Sequence, residues 1–230
     1  MNRKLTNAIR FVMDDLVPPA IRDSQWFMYP FFYYWFKGKN LDLYMNFKDR
    51  VQHLSDAEFE QCYRELNCRA TDRRTDLNQK CIKHMLTQLQ PGATTILDAG
   101  CGRGFWLKEI QSTTNLLTTG CDFFDTAPNS GFHYVKANIE NLPFGDGSFD
   151  IVTCFHTIEH VRNLQKAVSE LKRVTRKQLM IVTPKQRPYY YTLDLHLHYF
   201  PFEQQVKELI NMPKSQCLSL DGDWCFIGYK

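Results

Sequence analysis

The chain of 230 residues has no apolar run approaching the ~18 consecutive residues of a membrane span, so no transmembrane helix is expected. None of its eight cysteines forms a Cys-x-x-Cys pair. With no signal peptide evident, they are expected to be free, reduced thiols of a cytoplasmic protein. There is no polybasic run either: the net charge is +3 with 23% charged residues, and such mild basicity does not call for a nucleic-acid partner. Internal repeats and low-complexity linkers are also missing. What remains has the size of one α/β domain with a small addition. We expect an N-terminal helical and aromatic cap over residues 1–75 and a core over residues 76–230.

The most informative segment present is Ile96-Leu97-Asp98-Ala99-Gly100-Cys101-Gly102-Arg103-Gly104. Thr94–Leu97 has the short, β-branched, apolar composition of a buried parallel strand. Gly100, Gly102 and Gly104 allow a sharp turn and close approach of a ligand to the backbone. Helix formers resume at Phe105, so the loop joins a strand to a helix, the first half of a nucleotide-binding βαβ unit. A dinucleotide would place pyrophosphate at this helix N-terminus, where a neighbouring carboxylate is unhelpful. S-adenosylmethionine has no phosphate but carries an ammonium and a sulfonium, which Asp98 suits. The Gly-x-Gly-x-Gly spacing is also one residue tighter than the dinucleotide fingerprint. Cys101 reads as a small loop residue rather than a nucleophile, since methyl transfer needs no covalent intermediate.

The segment resembles motif I of the class I S-adenosylmethionine-dependent methyltransferases, and within them the ubiquinone-biosynthesis-like group. Later motifs follow in order over residues 75–230. Leu116–Asp122 reads as a second strand, and Asp122 stands where a carboxylate accepts hydrogen bonds from both ribose hydroxyls. His133–Ile139 reads as a third strand reaching the adenine. Asn138 would take the adenine amino group, with Ile139 and Phe123 as apolar walls; many family members have aspartate at that position. Asn141-Leu142-Pro143-Phe144 leads through Gly145–Phe149 into a fourth strand. The resemblance implies a cofactor set of Asp98, Gly100, Cys101, Gly102, Asp122, Phe123, Asn138, Ile139, Phe155 and His156, with S-adenosyl-L-methionine as cofactor. The implied fold is a Rossmann-like α/β sheet of seven mostly parallel strands ending in an antiparallel hairpin.

Helical spacing over residues 5–17 is stopped by Pro18-Pro19, and Ser55-Asp56-Ala57-Glu58 is a capping box. Helices are expected over roughly Asp76–Leu89, Arg162–Arg176 and Glu203–Asn211. Gln178–Thr183 reads as strand five, and Gln216–Leu220 with Trp224–Tyr229 as the hairpin. The run Trp26–Phe36 is aromatic, too short to cross a bilayer, and bounded by Arg22, Asp23, Lys37 and Lys39. It suits a cap packed on the core, or alternatively an apolar wall for a greasy acceptor or a surface anchor at a membrane.

Two histidine groups lie at the expected C-terminal strand ends. If His156–Val161 is helical, His156, Glu159 and His160 share a face. If Thr192–Tyr199 is extended, Asp194, His196 and His198 project from one side. An imidazole can remove a proton from an acceptor hydroxyl, with His160, His196 or His198 as base and Asp194 or Glu159 as orienter. Structural roles, or a divalent metal held by Glu159, His160 and a later histidine, are the alternatives. The sequence therefore points to an O-methyltransferase for a small-molecule or lipid- or sugar-linked acceptor, with no nucleic acid and at most peripheral membrane contact. A cofactor-binding protein without turnover and a nicotinamide-dependent oxidoreductase are the competing readings.

Overall fold

The computed structural model describes residue 9 and residues 11–66, 74–124 and 131–230. The chain divides into two compact units, Met1–Asp72 with Arg187–Leu197, and Arg73–Gln186 with His198–Lys230.

In the first unit, the helix expected over residues 5–17 lies partly outside the described residues. Its described part includes α1 (Val12–Leu16), a π-helical turn. Pro18-Pro19 then both stops this turn and opens α2 (Pro19–Arg22), with proline at the first helical position, where its missing N–H is not needed. The aromatic run forms α3 (Gln25–Trp35), although Pro30 sits inside it and its apolar side chains run all round the axis. Met28, Phe32 and Phe36, four residues apart, form its buried stripe. Phe36 stacks on Tyr44 of α4 (Leu41–Met45) with ring centroids 4.3 Å apart. The unit continues through α5 (Phe47–Val51) and α6 (Asp56–Arg64). The Ser55 side chain caps α6 from Glu58 N–H while Glu58 reaches back to Ser55 N–H, the reciprocal box expected from the sequence.

Residues 187–197 join this unit rather than the sheet that precedes them. Arg22 donates to the Pro188 carbonyl at 3.2 Å and lies 4.4 Å over the Tyr189 ring. Tyr190 N–H donates to Asp23 at 3.0 Å, and Tyr191 meets Phe32 edge-on.

The second unit holds, in chain order, α7 (Gln79–Thr87), β1 (Thr95–Ala99), α8 (Phe105–Thr113), β2 (Leu117–Asp122), β3 (His133–Lys136), β4 (Phe149–Phe155) and α9 (Leu164–Val174). It ends with β5 (Thr175–Pro184), α10 (Glu203–Ile210), β6 (Lys214–Leu220) and β7 (Asp223–Tyr229). Among the described residues these strands make one sheet in the order β3-β2-β1-β4-β5-β7-β6. β1 to β5 pair in parallel, while β7 is antiparallel to β5 and to β6. The expected seven-stranded α/β sheet with a terminal antiparallel hairpin is therefore present. Both faces are covered, which explains why the strands read as continuous apolar runs. Leu97, Val152 and Ile181 enter one core with α9 and α10, and their chain neighbours Ile96, Ile151 and Met180 enter the other with α7 and α8. Strand order reverses between β1 and β4, and the carboxyl edge there is where such sheets take ligands.

Candidate functional site

The site is built at the end of β1. Gly100 N–H and Cys101 N–H both donate to the Cys121 carbonyl, at 2.8 and 3.0 Å, which folds the loop back over the end of β2. The three glycines then separate by role. A Cβ on Gly100 would lie 2.2 Å from Thr157 Oγ1, and one on Gly104 would lie 2.2 Å from the Phe132 ring. These two glycines admit protein side chains. Gly102 has φ of +51° and nothing within 4 Å of its missing Cβ, so it is the glycine of the three that faces open space. Its N–H donates to Asp122 Oδ2 at 2.8 Å.

Asp98 is buried in β1, opposite Gly120 of β2 and Thr153 of β4. Thr153 Oγ1 donates to its Oδ1 at 2.7 Å. Burial pushes the Asp98 carboxyl up to about 7, against the Thr153 bond, and the negative charge of Asp122 adds to the rise. Asp122 is buried too, and burial raises it despite the backbone N–H groups of Phe124 and Gly102 that donate to it. Two buried acids thus stand at the ends of β1 and β2, and one of them holds the open glycine. Cys101 is no nucleophile: burial and the nearby acids hold its thiol far above the ordinary range.

Beyond β2, Ala137 N–H donates to the Asp122 carbonyl at 2.8 Å and brings the chain to Asn138. The Asn138 oxygen already accepts Glu140 N–H at 2.9 Å. Its amide nitrogen, a donor where aspartate has a second acceptor, is the group this departure from the family adds. Ile139 is buried in the α9-side core, Phe123 is half-buried, and Phe155 is buried with its ring 5.1 Å from that of Trp106.

At the end of β4 the residues 156–161 form a turn rather than a helix, because His156 has φ of +50°. His156 N–H donates to the Val182 carbonyl at 2.8 Å. Its ring lies between two buried carboxylates, Nδ1 3.4 Å from Glu159 and Nε2 3.5 Å from Asp223. Burial opposes a charged imidazole here, yet Asp223 and Glu159 outweigh it and raise His156 to about 10. At neutral pH the ring is a buried cation and is no proton acceptor. Asp223 is anchored in turn by Asn78 Nδ2 at 2.8 Å. Thr183 Oγ1 lies 3.4 Å from the second Glu159 oxygen.

His160 N–H donates to the Thr157 carbonyl at 3.0 Å. His198 N–H donates to the Glu159 carbonyl at 3.1 Å, its Nε2 lies 2.8 Å from the Val161 carbonyl, and burial lowers its pKa. His198 is therefore held on the same loop as Glu159, in its neutral form at pH 7. The expected alternation through Asp194, His196 and His198 does not occur. Leu195 has φ of +54°, which turns the backbone, and Asp194 and His196 belong to the first unit while His198 belongs to the second.

Thr153, Thr157, Thr183 and Asp223 shape this edge and were not singled out from sequence. Thr153 becomes visible once β1 and β4 are known to be neighbours, since it is the register partner of Asp98.

Residues 97–182 match the family described as "Methyltransferase domain". The sheet around this segment is Rossmann-like with an antiparallel end. The chain is 35% identical over 94 residues to a malonyl-[acyl-carrier protein] O-methyltransferase of Buchnera aphidicola, covering 38% of each chain. It is 31% identical over 109 residues to the human protein named "Probable tRNA methyltransferase 9B", covering 44% of this chain and 23% of that one. The crystal structure of the YcgJ protein from Bacillus subtilis superposes with a TM-score of 0.52 at 20% identity, covering 62% of this chain and 71% of that one, and shares the fold. The chain spans less than half the length of these two sequence relatives. No helix among the described residues is long and apolar enough to cross a membrane.

Proposed function

We propose that the protein transfers the methyl group of S-adenosylmethionine to an oxygen of a small-molecule or lipid-linked acceptor. The observation that carries this is the pair of buried acids at the strand ends, Asp98 in β1 and Asp122 in β2, the latter bonded to the open backbone of Gly102. Burial makes each acid costly to ionise on its own, so a bound cation is what this loop favours and a pyrophosphate is what it disfavours. In this reading Asp98 faces the ammonium end of the cofactor and Asp122 the ribose hydroxyls. Asn138, Ile139 and Phe123 surround the adenine, and Phe155 backs the sulfonium end, while His156, a cation held by Glu159 and Asp223, supports that edge from behind rather than contacting the cofactor. The cofactor supplies an electrophilic methyl on sulfur, and sulfur leaves neutral. The chain's own residues then contribute alignment and proton removal.

Oxygen is favoured as acceptor because a neutral imidazole can take a hydroxyl proton as the methyl arrives. His198, kept neutral by burial, is the first candidate, and His160 and His196 are the others. Similarity to malonyl-[acyl-carrier protein] O-methyltransferases supports oxygen. The net charge of +3 without a polybasic run supports a small acceptor over RNA, despite the tRNA methyltransferase likeness.

Calorimetry tests the cofactor: S-adenosylhomocysteine should bind and NAD should not, and Asp122→Ala should weaken binding by ~1.5–3 kcal/mol. NAD binding in its place would sink the reading. Mass spectrometry of an extract incubated with protein and S-adenosylmethionine identifies the acceptor as a species gaining one methyl. With that acceptor, replacing His160, His196 or His198 by Ala should lower kcat by ~10²–10⁴ for at least one of them. Full turnover in all three variants would leave alignment alone as the catalytic device.

A further inference from the structure

We propose that the outer face of α3 docks the protein on an anionic lipid surface. Of the thirteen large apolar side chains exposed among the described residues, ten fall between positions 9 and 34. On α3 itself Trp26 is 71% exposed and Tyr34 62%, with Tyr29, Phe31 and Tyr33 also open to solvent. The helix contains no charged residue, and its inner stripe of Met28 and Phe32 already forms the core of the unit. Its outer face therefore leaves apolar surface open to solvent, and such surface marks an interaction site.

Chemistry separates a lipid surface from a protein partner. The exposed rings are mostly tyrosine and tryptophan, whose apolar bodies and polar tips suit a boundary that is greasy on one side and wet on the other. Between Asp23 and Asp42 the chain has no acidic residue, while Lys37 and Lys39 stand exposed directly after the helix. The local charge thus complements phosphate headgroups. An 11-residue helix is about 16 Å long, too short to cross ~30 Å of hydrocarbon but long enough to lie in the interface. The inference goes beyond the methyl-transfer reading and holds whatever the acceptor is.

The test uses the full chain with phosphatidylcholine vesicles, with and without roughly one-third phosphatidylglycerol. Sedimentation with the anionic vesicles and a blue shift of tryptophan emission are expected, both weakened by high salt. The combined Trp26→Ser, Phe31→Ser and Tyr34→Ser variant should bind about tenfold less or weaker still. Its melting temperature and S-adenosylhomocysteine affinity should stay parental. The pair Lys37→Glu and Lys39→Glu, which leaves the rings intact, should remove the preference for anionic vesicles. A parent protein that stays in the supernatant with both vesicles overturns the proposal. So does a parent dimer that the ring variant converts to monomer, because the face would then belong to a second copy of the chain.

Discussion

At the strand ends of the second unit Asp98, Asp122, Glu159 and Asp223 are carboxylates buried among apolar side chains. On α3 of the first unit Trp26, Tyr29, Phe31, Tyr33 and Tyr34 are rings left in water. The two regions depart from the ordinary partition of polar and apolar groups in opposite senses. Each departure costs stability in the chain alone, and the two proposals above relieve each with a different class of partner. The buried acids divide further. Glu159 and Asp223 already have their counter-cation in His156, whereas the hydrogen-bond partner that the structure records for Asp98 is the neutral hydroxyl of Thr153. The first pair is compensated within the fold, and the proposed function gives Asp98 a cationic ligand in place of such a partner.

Breaking the compensated pair should have the largest effect. Asp223→Ala leaves a buried imidazole short of one carboxylate and should destabilise the protein by roughly 3–5 kcal/mol in urea unfolding. The sign with pH follows from His156, whose folded pKa of about 10 lies above its unfolded value. Its contribution is complete below about 6.5 and fades only as pH rises toward 10. Parental stability in this variant at pH 7 would remove the distinction between the two kinds of acid.

Asp98 should behave in the opposite way. Its folded pKa of about 7 also lies above the unfolded value, but here the protonated form is neutral. The folded state therefore binds the extra proton, and stability falls as pH rises from about 4 to 7. Asp98→Asn should thus stabilise the ligand-free protein at pH 8 by on the order of 2–4 kcal/mol, with less gain at pH 5. The same variant should bind S-adenosylhomocysteine more weakly. Loss of both stability and affinity would place Asp98 with the structural acids.

The glycine loop sharpens the comparison at a smaller scale. Gly100→Ala drives a methyl into Thr157 and should cost about 2 kcal/mol more stability than Gly102→Ala, which meets open space. Gly102→Ala should instead show its effect on cofactor affinity. Equal stability losses would mean that Gly102 is as enclosed as Gly100. The smallest effect is expected on the exposed rings, where Trp26→Ser should change unfolding free energy by no more than ~0.5 kcal/mol. A larger loss would show that this face is already engaged by the fold.

Much of this architecture is legible in local patterning. The strand, glycine loop and helix around Asp98, the Ser55 capping box, the amphipathic α9 and the Asp221-Gly222 hairpin turn each depend on residues a few positions apart. α3 was not legible as a helix, since Pro30 interrupts its ladder and apolar residues on every side erase the stripe that periodicity detects. The backbone of the histidine groups was hidden for a related reason. A helical or extended backbone had to be assumed, and positive φ values at His156 and Leu195 turn both segments elsewhere.

By itself the sequence determined the order of elements in the second unit, the mixed sheet and the edge where a ligand loop stands, because hydrophobic period and turn chemistry act over short range. Only the tertiary structure decided what each polar group at that edge does. Thr153 reaches Asp98 across 55 residues, and Asn78 reaches Asp223 across 145. Such pairs are set by sheet register and helix docking, which bring together side chains whose chemistry is unrelated to their spacing in the chain. The same packing left Gly102 open while filling the space beside Gly100 and Gly104, and it covered one stripe of α3 while leaving the other to water.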